Sequence, residues 1–205
     1  MLSDHYYSHS PKVGHDERTW NYTLRDTVLS FTTDRGVFSK GEVDFGSRLL
    51  IESYEAPEVS GKILDVGCGY GPIGLSIAKA YTNRHVVMLD INQRACQLAE
   101  KNASKNGVSN CEVRCYENGV TDLSDAEEFA SIMTNPPIRA GKKTVHDIYE
   151  DAWNRLLIGG TLWVVIQKKQ GASSTRSKLE SLFGEEAVEV KKKDKGYFIF
   201  FARKN

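Results

Sequence analysis

From Lys62 onward, short apolar runs alternate with stretches of helical period, and this alternation constrains the fold more than any other feature of the chain. Candidate strands cover residues 63–66, 86–90, 111–115, 131–134 and 161–166. Helical patterns cover 73–81, 95–106 (apolar at 95, 98, 99 and 103, with Gly107 as the stop) and 148–157. Successive parallel strands need a crossover long enough to bring the chain back, and a helix supplies it, so the pattern implies a parallel sheet covered on both faces. After a helix at 175–183 the rhythm changes. Runs 187–190 and 197–202 are separated only by the short turn around Asp194-Lys195-Gly196. A tight turn joins only antiparallel neighbours, so the last strand is predicted to run against the rest. The expected fold is α/β, with a mostly parallel seven-stranded sheet whose last strand is antiparallel.

Residues 1–58 read as an N-terminal extension packed on a main unit at 59–205, the two forming a single structural domain. Within the extension, Trp20-Asn21-Tyr22-Thr23-Leu24 and Val28-Leu29-Ser30-Phe31-Thr32 alternate with period two about Arg25-Asp26-Thr27, the pattern of a β-hairpin. Asp44 is placed to cap a short helix with Phe45, Leu49 and Leu50 on one side. Ala56-Pro57 and Ser60-Gly61 then break the chain. The chain has 205 residues, and its 27 Lys and Arg balance 27 Asp and Glu, so any nucleic-acid contact must come from local clusters rather than a global field. The cysteines, Cys68, Cys96, Cys111 and Cys115, form no CxxC pair, and the five histidines lack ligand spacing, so no metal site is expected. The first residues lack the basic and apolar regions of a secretory signal, and no apolar run approaches the roughly 20 residues of a membrane span. A cytoplasmic protein with reduced thiols and no membrane contact is the expectation.

The strongest local motif is Ile63-Leu64-Asp65-Val66-Gly67-Cys68-Gly69-Tyr70-Gly71-Pro72-Ile73-Gly74. An apolar strand runs into glycines, which permit a sharp turn and close ligand approach, and Pro72 fits the first position of the following helix. Ligands of open α/β sheets bind at such carboxyl ends of strands. Gly69 to Gly74 formally matches G-x-G-x-x-G, and Asp90 ends the next strand about 20 residues later, so a nicotinamide cofactor is a rival reading. Against it, the match is displaced two residues into the turn. Asp65 is also expected at the mouth of the loop, where a carboxylate would repel a pyrophosphate and favour a sulfonium and an ammonium group. S-adenosylmethionine carries both cations and no phosphate. Asp90 suits the ribose hydroxyls in either reading, and Cys68 reads as a small side chain tolerated in a tight turn rather than a nucleophile.

After the fourth strand comes Asn135-Pro136-Pro137-Ile138-Arg139-Ala140-Gly141-Lys142. Two consecutive prolines remove two backbone donors and stiffen an open turn. The Asn135 amide oxygen and the Pro136 carbonyl can each accept one N–H of an exocyclic amine, aiming its lone pair at a methyl donor. His146, just beyond, reads as a residue of the helix start, because two acceptors suffice without a general base.

Asp65-x-Gly67-x-Gly69-x-Gly71 followed by Asp90 resembles the first two motifs of class I S-adenosylmethionine-dependent methyltransferases, which implies a Rossmann-like fold. The resemblance implies that the loop backbone holds the methionine moiety and Asp90 the ribose, that Ile91 packs on the adenine, and that Glu117 or Asn118 meets the adenine amine in place of the usual Asp. Asn-Pro-Pro-Ile is similar to the Asn-Pro-Pro-aromatic motif of enzymes that methylate adenine N6, guanine N2 or protein glutamine. It makes Asn135, Pro136, Pro137 and Ile138 the catalytic turn, with Asn135 also bordering the cofactor and Ile138 as an aliphatic platform for the target. Together with Gly36-Val37-Phe38-Ser39 and Asp44-x-Gly46, the whole resembles the RsmC-type ribosomal RNA guanine-N2 methyltransferases. That implies ribosomal RNA or the small ribosomal subunit as partner. Arg139, Lys142 and Lys143 beside the turn, and Lys168 and Lys169 after strand five, are the expected phosphate contacts, with Phe38 covering the cofactor or flanking a flipped base. Lys191, Lys192, Lys193 and Lys195 form a further cluster, expected on another side of the molecule.

Overall fold

The computed structural model describes residues 14–39, 41–116, 123–124 and 126–205. Seven strands form the central sheet: β3 (Ile63–Val66), β4 (Val86–Asp90), β5 (Cys111–Cys115), β6 (Phe129–Thr134), β7 (Leu156–Gln167), β8 (Val188–Asp194) and β9 (Tyr197–Arg203). Their order is β5-β4-β3-β6-β7-β9-β8. Neighbours from β5 to β7 pair in parallel, whereas β9 runs antiparallel between β7 and β8. The predicted reversal at the last strand is therefore present, with β9 next to the edge and β8 on it.

All of β3 and all of β6 are buried, as strands covered on both faces must be. Successive side chains alternate between two apolar layers. Ile63, Val86, Met88 and Trp163 face α1 (Phe45–Ser53), α2 (Pro72–Ala80) and α3 (Gln93–Lys105), while Leu64, Val87, Leu89 and Val164 face α4 (Lys142–Arg155) and α5 (Ala172–Phe183). The hairpin β1 (Arg18–Leu24) and β2 (Thr27–Thr33) adds Leu24, Leu29 and Phe31 to the first layer. Thr27 pairs with Leu24, so its turn is only Arg25-Asp26, both at positive φ. Arg25 ties the tip to the C-terminal end of α1 through the carbonyls of Ile51 and Tyr54, at 2.9 and 2.8 Å. On α3, Asn102 and Asn106 act as substitute strand partners. Asn102 accepts from Thr32 N at 2.7 Å and donates to its carbonyl at 3.0 Å, and Asn106 does the same for Ser30, both at 2.8 Å.

Two boundaries differ from the sequence reading. The helix expected at 148–157 spans Lys142–Arg155, directly behind the double-proline turn, and Leu156 opens β7. β7 is longer than 161–166 because Gly159 and Gly160 lie inside it at a register shift against β6 rather than ending it. No described helix is long and apolar enough to cross a membrane.

Candidate active site

The carboxyl ends of β3, β4, β5 and β6 open onto a cavity of about 380 Å³. Its walls include Gly67, Cys68, Gly69, Asp90, Ile91, Asn135, Pro136, Pro137 and Phe38, so the structure brings nine of the nineteen expected site residues together. Gly67 and Cys68 donate to the Leu89 carbonyl, both at 2.8 Å, folding the loop over β4. Gly67 and Gly69 have positive φ, and a Cβ on either would meet no protein atom within 4 Å. The loop therefore leaves its backbone open for a ligand to approach. The Asp90 carboxylate accepts from Gly69 N at 2.8 Å and from Asn92 N at 2.9 Å, with the Ile91 N–H also acting on it. A carboxylate has about four acceptor directions, so capacity remains for a ribose hydroxyl. Burial pushes the Asp90 carboxyl above its ordinary range, while the N–H groups of Asn92 and Gly69 pull it back.

Asp65 does not stand at the mouth of the loop. It is fully buried beneath α2, where Oδ2 accepts from Gly74 N at 2.8 Å and Oδ1 has no hydrogen-bond partner. The reason is the pleat: Asp65 shares the face of β3 that packs against α2, and α2 comes so near that a Cβ on Gly74 would lie 3.1 Å from Oδ2. Burial raises the Asp65 carboxyl to about 7, against the Gly74 bond. Gly71 is also not a wall, because it caps α2, its carbonyl accepting from Leu75 N at 3.0 Å. Cys68 is buried, and burial raises its thiol well above the ordinary value, as befits a filler of the turn. Glu117 and Asn118 lie outside the described residues; Tyr116 walls the cavity just before them.

At the end of β6, the Thr134 hydroxyl donates to the Val66 carbonyl at 2.9 Å and ties the two loops together. The Asn135 amide nitrogen donates to both Asp44 oxygens at 3.3 Å and to Ser47 Oγ at 3.0 Å. Asp44 is at the same time the cap of α1, accepting from Ser47 N at 3.1 Å. A carboxylate only accepts, so it fixes which end of the amide it meets and leaves Asn135 Oδ1 turned away from it. Among the described residues no donor is bonded to Oδ1 or to the Pro136 carbonyl, whereas the Pro137 carbonyl accepts from Ala140 N at 2.9 Å. The turn thus carries two acceptors without a donor on adjacent residues of the cavity wall. Sequence reasoning found Asp44 as a cap but missed that the same carboxylate orients Asn135, 91 positions away.

Ile138 is not a cavity wall. The short 3-10 turn Ile138–Ala140 rolls it back onto the apolar layer of α4, and Pro137, Ala140 and Ile148 line that side instead. Arg139, Lys142 and Lys143 are exposed outside the walls, with Lys143 bonded to Asp147 at 2.8 Å. Lys168 and Lys169 are exposed in a 3-10 turn at the carboxyl end of β7, at the same edge of the sheet as the cavity but not lining it. Phe38 lines the cavity while 45% exposed. It sits on a strap held by Asn92, which donates to the Gly36 carbonyl at 2.9 Å, and by Arg94, which donates to the Arg35 carbonyl at 2.6 Å. Asp34 at its root is buried. Burial works to raise its carboxyl, but Asp16 N, His15, Arg35 N and the Arg94 charge together hold it below the ordinary value. Trp153 is only partly buried, with Lys204 Nζ 4.8 Å from its ring centroid. Among the described residues no group of three or more His, Cys, Asp or Glu side chains could hold a metal ion.

A sheet in this order, with a reversed strand next to one edge, a glycine loop after its first parallel strand and an acidic residue after the second, defines the class I methyltransferase architecture. The family model for the methyltransferase small domain matches residues 28–201, and the chain belongs to that family. It is 54% identical over 204 residues, 99% of this chain and 100% of the relative, to the uncharacterized protein YbxB of Bacillus subtilis (strain 168). It is 37% identical to ribosomal RNA small subunit methyltransferase C of Vibrio parahaemolyticus across 65% of this chain and 37% of that protein. Among solved structures, a T. thermophilus 16S rRNA N2 methyltransferase (RsmC) in complex with AdoMet and guanosine superposes with a TM-score of 0.81 at 25% identity, covering 95% of this chain and 52% of that one. The chain thus spans about half or less of these RsmC proteins. With the family established, the nicotinamide alternative is set aside.

Proposed function

We propose that this chain transfers a methyl group from S-adenosylmethionine to an exocyclic amine, the N2 of a guanine in small-subunit ribosomal RNA, in the cytoplasm. The observation that carries the reading is the fixed amide of Asn135, whose nitrogen is held by Asp44 and Ser47 so that its oxygen and the Pro136 carbonyl remain as paired acceptors at the cavity. The cavity fits the cofactor by the chemistry of its donors and acceptors. The open loop at Gly67–Gly69 suits a charged amino-acid portion, Asp90 has acceptor capacity left for ribose hydroxyls, and Ile91 and Tyr116 offer apolar surface to a purine. Bound there, S-adenosylmethionine supplies an electrophilic methyl on a positively charged sulfur.

The rest of the work belongs to the protein. An arylamine lone pair is delocalised into its ring and attacks poorly. Two N–H bonds, to Asn135 Oδ1 and the Pro136 carbonyl, turn the lone pair toward the donor and strengthen as the nitrogen becomes pyramidal and positive. The double proline keeps both acceptors in place without any reorganisation. One amine proton is afterwards released to water. The similarity to RsmC proteins supports ribosomal RNA and guanine N2 as the acceptor.

Replacing Asn135 by Ala tests the role of the turn. S-adenosylmethionine affinity by calorimetry should stay within about threefold of wild type, while transfer of tritiated methyl into small-subunit ribosomal RNA falls by about 100-fold or more, the scale of losing a preorganised group at the reacting centre. Nucleoside mass spectrometry of ribosomal RNA from a strain lacking the gene should show loss of one N2-methylguanosine. An unchanged nucleoside profile would remove the RNA assignment.

A further inference from the structure

We propose that an RNA strand reaches the cavity along a track of cations on the β7 and β8–β9 side of the sheet, built from Lys168, Lys169, Lys193, Lys195 and Arg48. This deepens the RNA reading above and rests on it. The C-terminal lysines do not lie on another side of the molecule. Because β9 is antiparallel to β7, its first residue Tyr197 pairs with Gln167, the last of β7, and Lys168 N donates to the Gly196 carbonyl at 2.7 Å. The β8–β9 turn therefore stands at the carboxyl edge, the same edge that holds the Asn135 turn at the end of β6. Since β6, β7, β9 and β8 are consecutive, at roughly 4.8 Å per strand the lysine turn is displaced about 10–14 Å across the sheet from β6.

Part of the positive charge elsewhere on the molecule is neutralised. Lys101, Lys143, Lys178, Lys191, Arg114 and Arg176 are each within ion-pair distance of a carboxylate. Among the described residues no carboxylate lies within that distance of Lys168, Lys169, Lys193 or Lys195, all of them exposed. In a chain of balanced charge, cations left over at one edge form a local positive field. Asp194 is the acidic residue within this turn. Aromatic rings underlie its cations on both faces of the sheet, Phe45 and Tyr197 on the α1 face and Phe198 on the α4–α5 face. Lys195 Nζ and the Arg48 guanidinium stand 5.0 and 5.1 Å from the Phe45 ring centroid, Lys193 Nζ is 5.1 Å from that of Phe198, and Phe45 packs on Tyr197 at 5.4 Å. Exposed cations stacked over rings are ingredients of sequence-tolerant single-strand binding. Phe45 follows Asp44, the residue that holds Asn135, so the track ends at the acceptor pair. Gly46 makes this junction possible, because a Cβ there would lie 3.0 Å from the Tyr197 ring and 3.1 Å from Asp44 Oδ2.

The test compares the full-length protein with Lys193→Gln/Lys195→Gln and with Arg203→Glu. Arg203 is exposed at the opposite end of β9, and both variants lower the net charge by the same amount. Anisotropy of a fluorescein-labelled single-stranded RNA is titrated at KCl from about 50 to 200 mM, and S-adenosylmethionine binding by calorimetry checks that each variant is folded. The double variant should bind RNA about tenfold more weakly, with a slope of log affinity against log salt shallower by about 1.4, at about 0.7 per lost single-strand phosphate contact. Arg203→Glu should stay within about twofold of wild type. Equal affinity and slope for the double variant and wild type, both methylating RNA, overturn the track alone. A wild type that neither binds this RNA nor places tritiated methyl in ribosomal RNA overturns the RNA reading and the track with it.

Discussion

Asp44 decides the orientation of Asn135, and Asp44→Asn tests that role without removing the helix cap. Asn caps a helix about as well as Asp, so unfolding stability should change by less than about 0.5 kcal/mol. What changes is the group facing the Asn135 amide. In the native protein both Asp44 oxygens accept from Nδ2 at 3.3 Å. With Asn at 44, one oxygen keeps the Ser47 N–H and the new NH2 meets Asn135 as a donor. The Asn135 amide then turns over to offer its oxygen, and its own NH2 faces the cavity. A hydrogen bond to a charged group contributes about 1.5–3 kcal/mol, and at 3.3 Å the lower part of that range applies. At about 1.4 kcal/mol per factor of ten, transfer should fall by roughly 10- to 40-fold. Ser47 Oγ at 3.0 Å can donate or accept, so it supports either orientation, and Ser47→Ala should cost only about threefold. The assay is the initial rate of tritiated methyl transfer to ribosomal RNA at saturating S-adenosylmethionine and RNA, with cofactor affinity and melting temperature measured alongside. An Asp44→Asn enzyme within twofold of wild type in rate, with both controls unchanged, would refute the argument.

Two further substitutions probe the cofactor side. The Asp65 carboxyl is raised from its ordinary 3.8 to about 7 in the fold, so the native state binds its proton more tightly than the unfolded chain does. Stability should therefore decline as pH rises from about 4 to 7, by on the order of 4 kcal/mol at most, and Asp65→Asn should flatten that decline in denaturant titrations across the interval. Asp90→Ala removes the acceptor of Gly69 N and Asn92 N as well as the expected ribose contact, so S-adenosylmethionine should bind at least tenfold more weakly by calorimetry.

The sheet was legible because its signal is local. The runs 63–66, 86–90 and 111–115 coincide with β3, β4 and β5, each bounded by turn residues within a few positions. The reversal at β9 followed from the shortness of one turn. Elements whose ends are set by distant neighbours were not legible. Gly159-Gly160 resembles a break, and only pairing with β6 and β9 carries β7 through it. The glycine loop, Asp90 and the Asn135 corner were found from motifs, since their geometry is fixed by a few consecutive residues. Asp65 was misplaced by the same reasoning, because a motif gives residue types and not the face of the pleat on which each falls.

The association of Asp44 with Asn135 spans 91 positions and could not be read from either segment. Its physical logic is nonetheless simple. The side chain that caps a helix must sit at that helix's N-terminus, and α1 crosses the sheet with its N-terminus at the carboxyl edge beside β6. A cap at that point is a half-buried carboxylate, fixed by Ser47 N and directed at whatever the end of β6 presents. Tyr197 packs against the same turn across Gly46, so the hairpin that carries Lys193 and Lys195 bears on the residue that orients Asn135. The N-terminal helix and the C-terminal hairpin, remote from the motif in sequence, thus meet at the one amide whose orientation the proposed chemistry requires.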